Sequence, residues 1–263
     1  MAYNNLPAFS VIIIVDMRRS IFLILLLTAT TMVFGQTRKV QNRPYIDLRA
    51  LHFGLSLGMN MQDVEFQNVG PQTLTMPDGT EVPTNILCDE DMWNPGFSVG
   101  VLADFRLHQH FSLRVSPTMH FGSKHLVFRN LLDLTESGRP VETTQDLKNT
   151  YLSIPVDLKF SAERFNNHRP YIVAGVNTMI NLAGKDQDYV QLKRYDVLLE
   201  VGMGCDFYMP FFKLIPELKF CYGLTNTLDA NHAAELTDVS KRAFTQSVSS
   251  ARTKMIVLTL YFE

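Results

Sequence analysis

The chain has 263 residues, 46% of them hydrophobic and 19% charged, with a formal net charge of −2. That balance leaves no basic stripe of the kind nucleic-acid binding requires, so no nucleic-acid partner is expected. Eighteen Phe and nine Tyr against one Trp suit strands and bilayer interfaces.

The N-terminus reads as an export signal. Met17-Arg18-Arg19-Ser20 is a basic start and Ile21 to Leu27 an apolar core. Residues 28–35 (TATTMVFG) are more polar and end small, which places cleavage before Gln36. Residues 1–35 form this signal region, with Met17 the expected initiator and 1–16 an upstream start. The apolar core is short for a spanning helix of about 20 residues. After it no apolar run of 18 residues occurs. A mature chain that crosses a membrane must therefore do so with strands. Residues 36–50 (QTRKVQNRPYIDLRA) are expected to form a short periplasmic arm.

Eight segments with two-residue alternation follow, the mark of strands with one apolar and one polar face. The first sets Leu51, Phe53, Leu55, Leu57, Met59 and Met61 against His52, Gly54, Ser56, Gly58, Asn60 and Gln62. The second sets Phe97, Val99, Val101, Ala103, Phe105 and Leu107 against Ser98, Gly100, Asp104 and Arg106. The third sets Phe111, Leu113, Val115, Met119 and Phe121 against Ser112, Arg114, Ser116, Thr118 and His120. The fourth sets Leu152, Ile154, Val156, Leu158 and Phe160 against Tyr151, Ser153, Asp157 and Lys159. The fifth, around Ile172 to Leu182, is weaker. The sixth carries Glu200, Gly202, Gly204 and Asp206 on its polar face, and the seventh Glu217, Lys219 and Gly223. The eighth alternates Ile256, Leu258, Leu260 and Phe262 with Val257, Thr259 and Tyr261.

Short turns are expected near 108–110, 166–168 and 210–212, and long connections at 64–95, 130–148, 184–194 and 225–251. An even strand number with alternating short and long links predicts an all-β fold: an eight-stranded antiparallel up-and-down transmembrane β-barrel over residues 51–263, in an outer membrane. Alternation alone does not say which face is wet. Phe53, Phe97, Phe121, Phe160 and Phe207 near strand ends fit interfacial girdles. Opposite charges two residues apart on the polar faces fit pairing inside a narrow lumen. Asp104, Arg106, Arg114, Asp157, Lys159, Glu200, Asp206, Glu217 and Lys219 are the expected lumen charges. Eight strands leave an interior that side chains fill, which excludes a wide porin channel.

Chemistry is hard to find. Cys88, Cys205 and Cys221 form no metal-ligand spacing. His108, His110 and His168 fall in turns. His120 and Ser123 could meet at the outer rim, a weak sign of a lipid-modifying enzyme. Asp89-Glu90-Asp91 could hold Ca²⁺ weakly, but a solvated acidic loop is the commoner meaning. No enzyme activity, cofactor, metal or small-molecule substrate is expected.

Several stretches together resemble the PorT (SprT) family, outer-membrane barrels of the type IX secretion system of Bacteroidetes. They are His52, Phe53 and Gly54 with Gly58 and Asn60; YLSIPVDLKF (151–160) around Pro155; RPYIVAG (169–175) ending in Gly175; and EVGMGCDFYMPFFKLIPELKFCYGL (200–224). The last contains Gly202, Gly204, Phe212, Lys213, Pro216 and Glu217. The terminal LTLYFE (258–263) completes the set, although Glu263 follows the final aromatic. The resemblance implies an accessory, assembly or docking role in exporting proteins with a C-terminal signal domain, with the lipid bilayer and other secretion components as partners. Gliding motility is an associated process. The competing expectation is a free-standing small barrel of the OmpX type, an adhesin or membrane stabiliser.

Overall fold

The structure is a computed structural model that describes residues 40–263 apart from 76–79, 91–92, 184–188, 230, 233–235 and 237–238. The expected export signal, the start of the arm and Asp91 lie outside the described residues. Residues 41–263 form one compact unit, which contains the barrel.

Its strands are β1 (Leu51–Asn68), β2 (Gln72–Thr75), β3 (Glu81–Thr84), β4 (Ile86–Glu90), β5 (Asn94–Arg106), β6 (Phe111–Val115), β7 (Thr118–Leu134), β8 (Pro140–Ser161), β9 (His168–Asn181), β10 (Tyr195–Tyr208), β11 (Lys213–Gly223) and β12 (Val248–Phe262). Among the described residues, a 3-10 turn (Ile46–Leu48) precedes β1 and an α-helix, α1 (Val239–Gln246), precedes β12. Each wall pairs antiparallel with the next, and β12 returns to β1 with Leu57 opposite Leu260, so no edge is left at membrane depth. The third wall is β6 and β7 together. Ala103 faces Val115 and Phe97 faces Phe121 in one unbroken register. Only Ser116 and Pro117 separate them, and Pro117 has no N–H to give to the ladder. The result is an eight-walled antiparallel up-and-down barrel.

The expected alternation decides the two faces. Leu55, Leu57, Met59, Val99, Val101, Leu158, Ile172, Val201 and Leu258 are exposed on the outer wall, where lipid covers them. Phe97 and Phe121 stack at 4.7 Å near the outer ends, and Phe111 and Phe160 meet at 5.0 Å near the short turns. Phe97 to Phe105 on one strand is a run of nine residues, at the low end of the roughly 9–11 that a tilted strand uses to cross the hydrocarbon core.

Inside, the wall comes very close to the filling. A Cβ at Gly175 would stand 2.2 Å from the Val156 carbonyl oxygen and 2.3 Å from Asp157 Oδ1. A Cβ at Gly204 would stand 2.3 Å from the Tyr171 hydroxyl.

The long connections differ from expectation. Residues 130–148 are mostly one extended hairpin, because β7 and β8 continue past the barrel with Lys124 opposite Leu147 and Arg129 opposite Glu142. Residues 64–95 hold the end of β1, the β2–β3 hairpin and β4, and β4 adds to β7 with Cys88 opposite Phe128. These pieces and α1 build an apolar lid over the outer mouth. Val64, Ile86, Cys88, Leu126, Phe128, Val190, Leu228, Ala243, Val248 and Ala251 are its buried members. Phe128, Tyr189 and Phe244 interlock with ring centroids 4.8–5.6 Å apart. Two side-chain amides stand in for absent strand neighbours. Asn68 donates to the Cys88 carbonyl (3.1 Å) and accepts from its N–H (2.8 Å). Gln145 does the same with Val190, at 3.1 Å each way.

Candidate functional site

The strand alternation that sends aliphatic side chains to lipid sends charged ones inward, where each must find a partner. Arg114 has no exposed surface. Its guanidinium donates to Asp104 Oδ2 at 3.0 Å and to Glu217 Oε2 at 2.5 Å. Its carbon centre lies 5.1 Å from the ring centroids of Tyr171 and of Tyr261. The hydroxyls of those two tyrosines donate to Glu217 at 2.6 and 3.0 Å. Lys219 bridges Asp157 and Glu200, the latter at 2.7 Å, and Asn177 donates to Glu200 at 3.0 Å. Lys159 bonds Asp206 at 2.9 Å, with its ammonium 4.0 Å from the Tyr171 ring centroid. Eight of the nine expected lumen charges thus meet in one buried network.

Arg106 is the exception. It has the inward parity but sits at the periplasmic mouth, donating to the Leu48 carbonyl at 3.3 Å, so it is not Asp104's partner. Alternation assigns a face, and depth along the strand decides whether that face is lumen or rim. Lys213 belongs to the inner set that the sequence reading left out of the charge network. It pairs with Glu263 at 2.6 Å and is near Asp206 at 3.8 Å. Its parity with Glu217 and Lys219 was the available signal.

The motif residues of the resemblance fall largely on this construction. His52 Nδ1 lies 2.5 Å from Glu263 Oε1, across the β1–β12 seam. Phe53 faces lipid, and Asn60 donates to Ser98 Oγ at 2.8 Å. Gly54 and Gly58 run against the Phe262 and Leu258 carbonyls, and Gly202 against that of Leu218. Pro155 faces Asn177, Pro216 faces Leu260, and Phe212 lies 6.2 Å from Phe262.

His120 and Ser123 do not meet. Residues three apart on a strand point to opposite faces, and the structure buries His120 while exposing Ser123. His120 Nδ1 instead lies 2.8 Å from Ser98 Oγ, a pair fixed by β5–β7 register. It is enclosed between the charge network and a second apolar layer of Tyr151, Met179, Leu198, Cys221, Met255 and Val257. Asp89 is exposed and accepts the Glu90 N–H, while Glu90 accepts the Val64 N–H at 3.0 Å. Burial pushes the Glu90 carboxyl up to about 7, against the pull of Lys124. Among the described residues no group of three or more His, Cys, Asp or Glu is placed to hold a metal ion.

The periplasmic mouth is crossed by the arm. Asn42 donates from its backbone to Asn167 and from its side chain to the Tyr208 carbonyl, both at 2.9 Å. Asp47 accepts from the Tyr208 hydroxyl at 2.7 Å. Arg164 donates to the Asn42 carbonyl at 2.5 Å.

A model of the outer membrane protein beta-barrel domain matches residues 34–229. Similar solved structures include Neisserial surface protein A, 12% identical with a TM-score of 0.38, over 81% of this chain and 98% of that one. OprG from Pseudomonas aeruginosa is 14% identical with a TM-score of 0.41, over 80% and 91%. Ail of Yersinia pestis is 13% identical with a TM-score of 0.32, over 80% and 96%. No curated protein matches the chain. The family match covers well over half of the sequence and runs through most of the barrel. The chain belongs to the outer membrane protein β-barrel domain family and resides in the outer membrane.

Proposed function

We propose that this protein is a free-standing small barrel that neither conducts nor catalyses, and that it acts through the surfaces it holds at the two ends of the membrane. The observation that carries this reading is the filled interior: an ion-pair network, an apolar layer and the outer lid follow one another along the axis. A pore would need a continuous water path, and an enzyme would need access for its substrate. Among the described residues, Ser98 and His120 are both buried by the filling. Single-channel recording in planar bilayers tests the reading. No steps above leak are expected, and a sustained conductance would overturn it.

A second reading, an accessory component of type IX secretion, is favoured by the motif set around His52, Gly54, Lys213 and Glu217. Most of those residues serve barrel closure and filling, so they support kinship among barrels more directly than a shared partner. Deleting the gene should then trap cargo inside the cell, and normal export would exclude it.

A further inference from the structure

Among the described residues, the periplasmic mouth carries more arginine charge than nearby carboxylates neutralise. Arg43, Arg49, Arg106, Arg164 and Arg169 lie on the arm, at strand ends and in the short turns, against Asp47 and Glu163. Several of these guanidinium groups are held by backbone carbonyls instead of carboxylates. Arg106 donates to the Leu48 carbonyl. Arg169 donates to those of Ala162 at 2.9 Å and Gln109 at 2.5 Å. Asp47 is 3.8 Å from Arg169 and 3.9 Å from Arg164, so the two share one carboxylate. Among the described residues no carboxylate lies within 4 Å of Arg106. A carbonyl orients a guanidinium but does not cancel its charge.

Arg106 and Arg169 line a polar cavity of about 40 Å³ at this mouth, with His52, His108 and His110 on the same wall. Asp47, Asp104 and Asp206 also line it, but Asp47 is shared between Arg164 and Arg169, and the other two are committed to Arg114, Lys159 and Lys213. The space takes one small polar group and is far below the size of a substrate pocket. Exposed apolar side chains stand at the same end, on the arm and the β10–β11 turn: Phe211 at 92%, Tyr45 at 76% and Leu48 at 62% accessibility. Arginine beside exposed aromatic rings, around a socket for one polar group, is the composition of a protein-binding centre.

We propose that this face binds an acidic segment of a periplasmic protein, one carboxylate entering the cavity between Arg106 and Arg169. Its deepest lining residues, Asp104, Lys159, Asp206 and Lys213, are buried inward-facing positions, which favours a soluble chain over a phospholipid headgroup. The inference rests on the reading of the barrel as a sealed scaffold that works through its ends. Its test is independent of conductance, so either can fail alone.

The full barrel in phosphatidylcholine nanodiscs is titrated with fluorescein-labelled hexaglutamate and followed by anisotropy. Saturable, salt-sensitive binding is expected, weakened roughly tenfold or more in the Arg106→Gln/Arg169→Gln double variant. Arg106→Gln alone should weaken it partly, and Arg139→Gln, on the outer hairpin, should leave it unchanged. Gel mobility of the unheated variants checks that the barrel has closed. If the double variant does not close, the comparison rests on Arg106→Gln, whose side chain makes one backbone bond at the rim. Hexaglutamate binding that is absent, or indifferent to these arginines, overturns the proposal. Equal or tighter binding of dihexanoyl-phosphatidylglycerol at the same arginines would replace the acidic peptide with a lipid headgroup.

Discussion

Arg114 shows what a single residue does here. Its charge is taken wholly out of water, and it is tolerable because Asp104 and Glu217 are each within hydrogen-bonding distance and two tyrosines complete the shell. Arg114→Gln should destabilise the barrel by about 3–5 kcal/mol, since it removes the hydrogen-bonded cation of two buried carboxylates and leaves them only Lys159 at 3.9 Å and Lys219 at 3.5 Å. Adding Glu217→Gln should recover part of that loss. Urea unfolding in micelles, read by the fluorescence of Trp93, measures both. Glu263 gives a pH-dependent case at the rim. Burial alone would raise its carboxyl, but the His52 hydrogen bond and the Lys213 charge outweigh burial and hold it at about 2, against 4.5 unperturbed. Its contribution is therefore complete above about 4.5 and is lost as the pH falls from there through 2. The size is at most about 3 kcal/mol. The stability gap between wild type and Glu263→Gln should be widest near neutral pH and close across that window. At this scale the sequence was readable in part. Parity put Asp157, Lys159, Glu217 and Lys219 indoors, and applied to Lys213 it would have added that residue too. It could not separate Arg106 at the rim from Asp104 two residues deeper, nor find Ser98 opposite His120, because depth and register come from pairing between strands.

Among elements, the outer lid was the least legible. The strands announce themselves by alternation because one side faces lipid and the other a polar lumen. The lid has no such division: Ile86, Cys88, Val190, Leu228 and Ala243 come from a short strand, loops and a helix, and their apolar positions share no period. The same holds for the β7–β8 extension. Beyond the membrane both faces of the hairpin meet water or lid, so polar residues such as Glu142, Thr143 and Thr144 enter a regular ladder and read as loop. Phe128, with no exposed surface, is the lid's centre. Phe128→Ala should loosen the lid by about 3–5 kcal/mol. Amide exchange should then quicken in β4 and α1 while β10 and β11 keep their protection. Equal loss of protection in all four would mean that lid and barrel unfold as one unit.

For the whole molecule, eight walls fix the radius, the radius fixes how much side chain the interior accepts, and the sequence supplies charged pairs and tyrosines to fill it. The lid and the lumen network then close the axis separately. A chain with residues 229–247 replaced by a short Gly-Ser link should lose the lid and still pass no current in planar bilayers. Current in that variant alone would make the lid the seal and the ion pairs mere filling. The ion pairs also constrain assembly. Arg114 and Glu217 lie on walls that touch only after the cylinder has formed. In a half-built sheet each would face hydrocarbon with only a local partner, Asp104 across the strand for Arg114 and Lys219 on the same strand for Glu217, at a cost of several kcal/mol. Partial insertion is therefore a high-energy species, and bilayer entry and ring closure become one concerted event whose barrier is set by the last seam, β1 against β12.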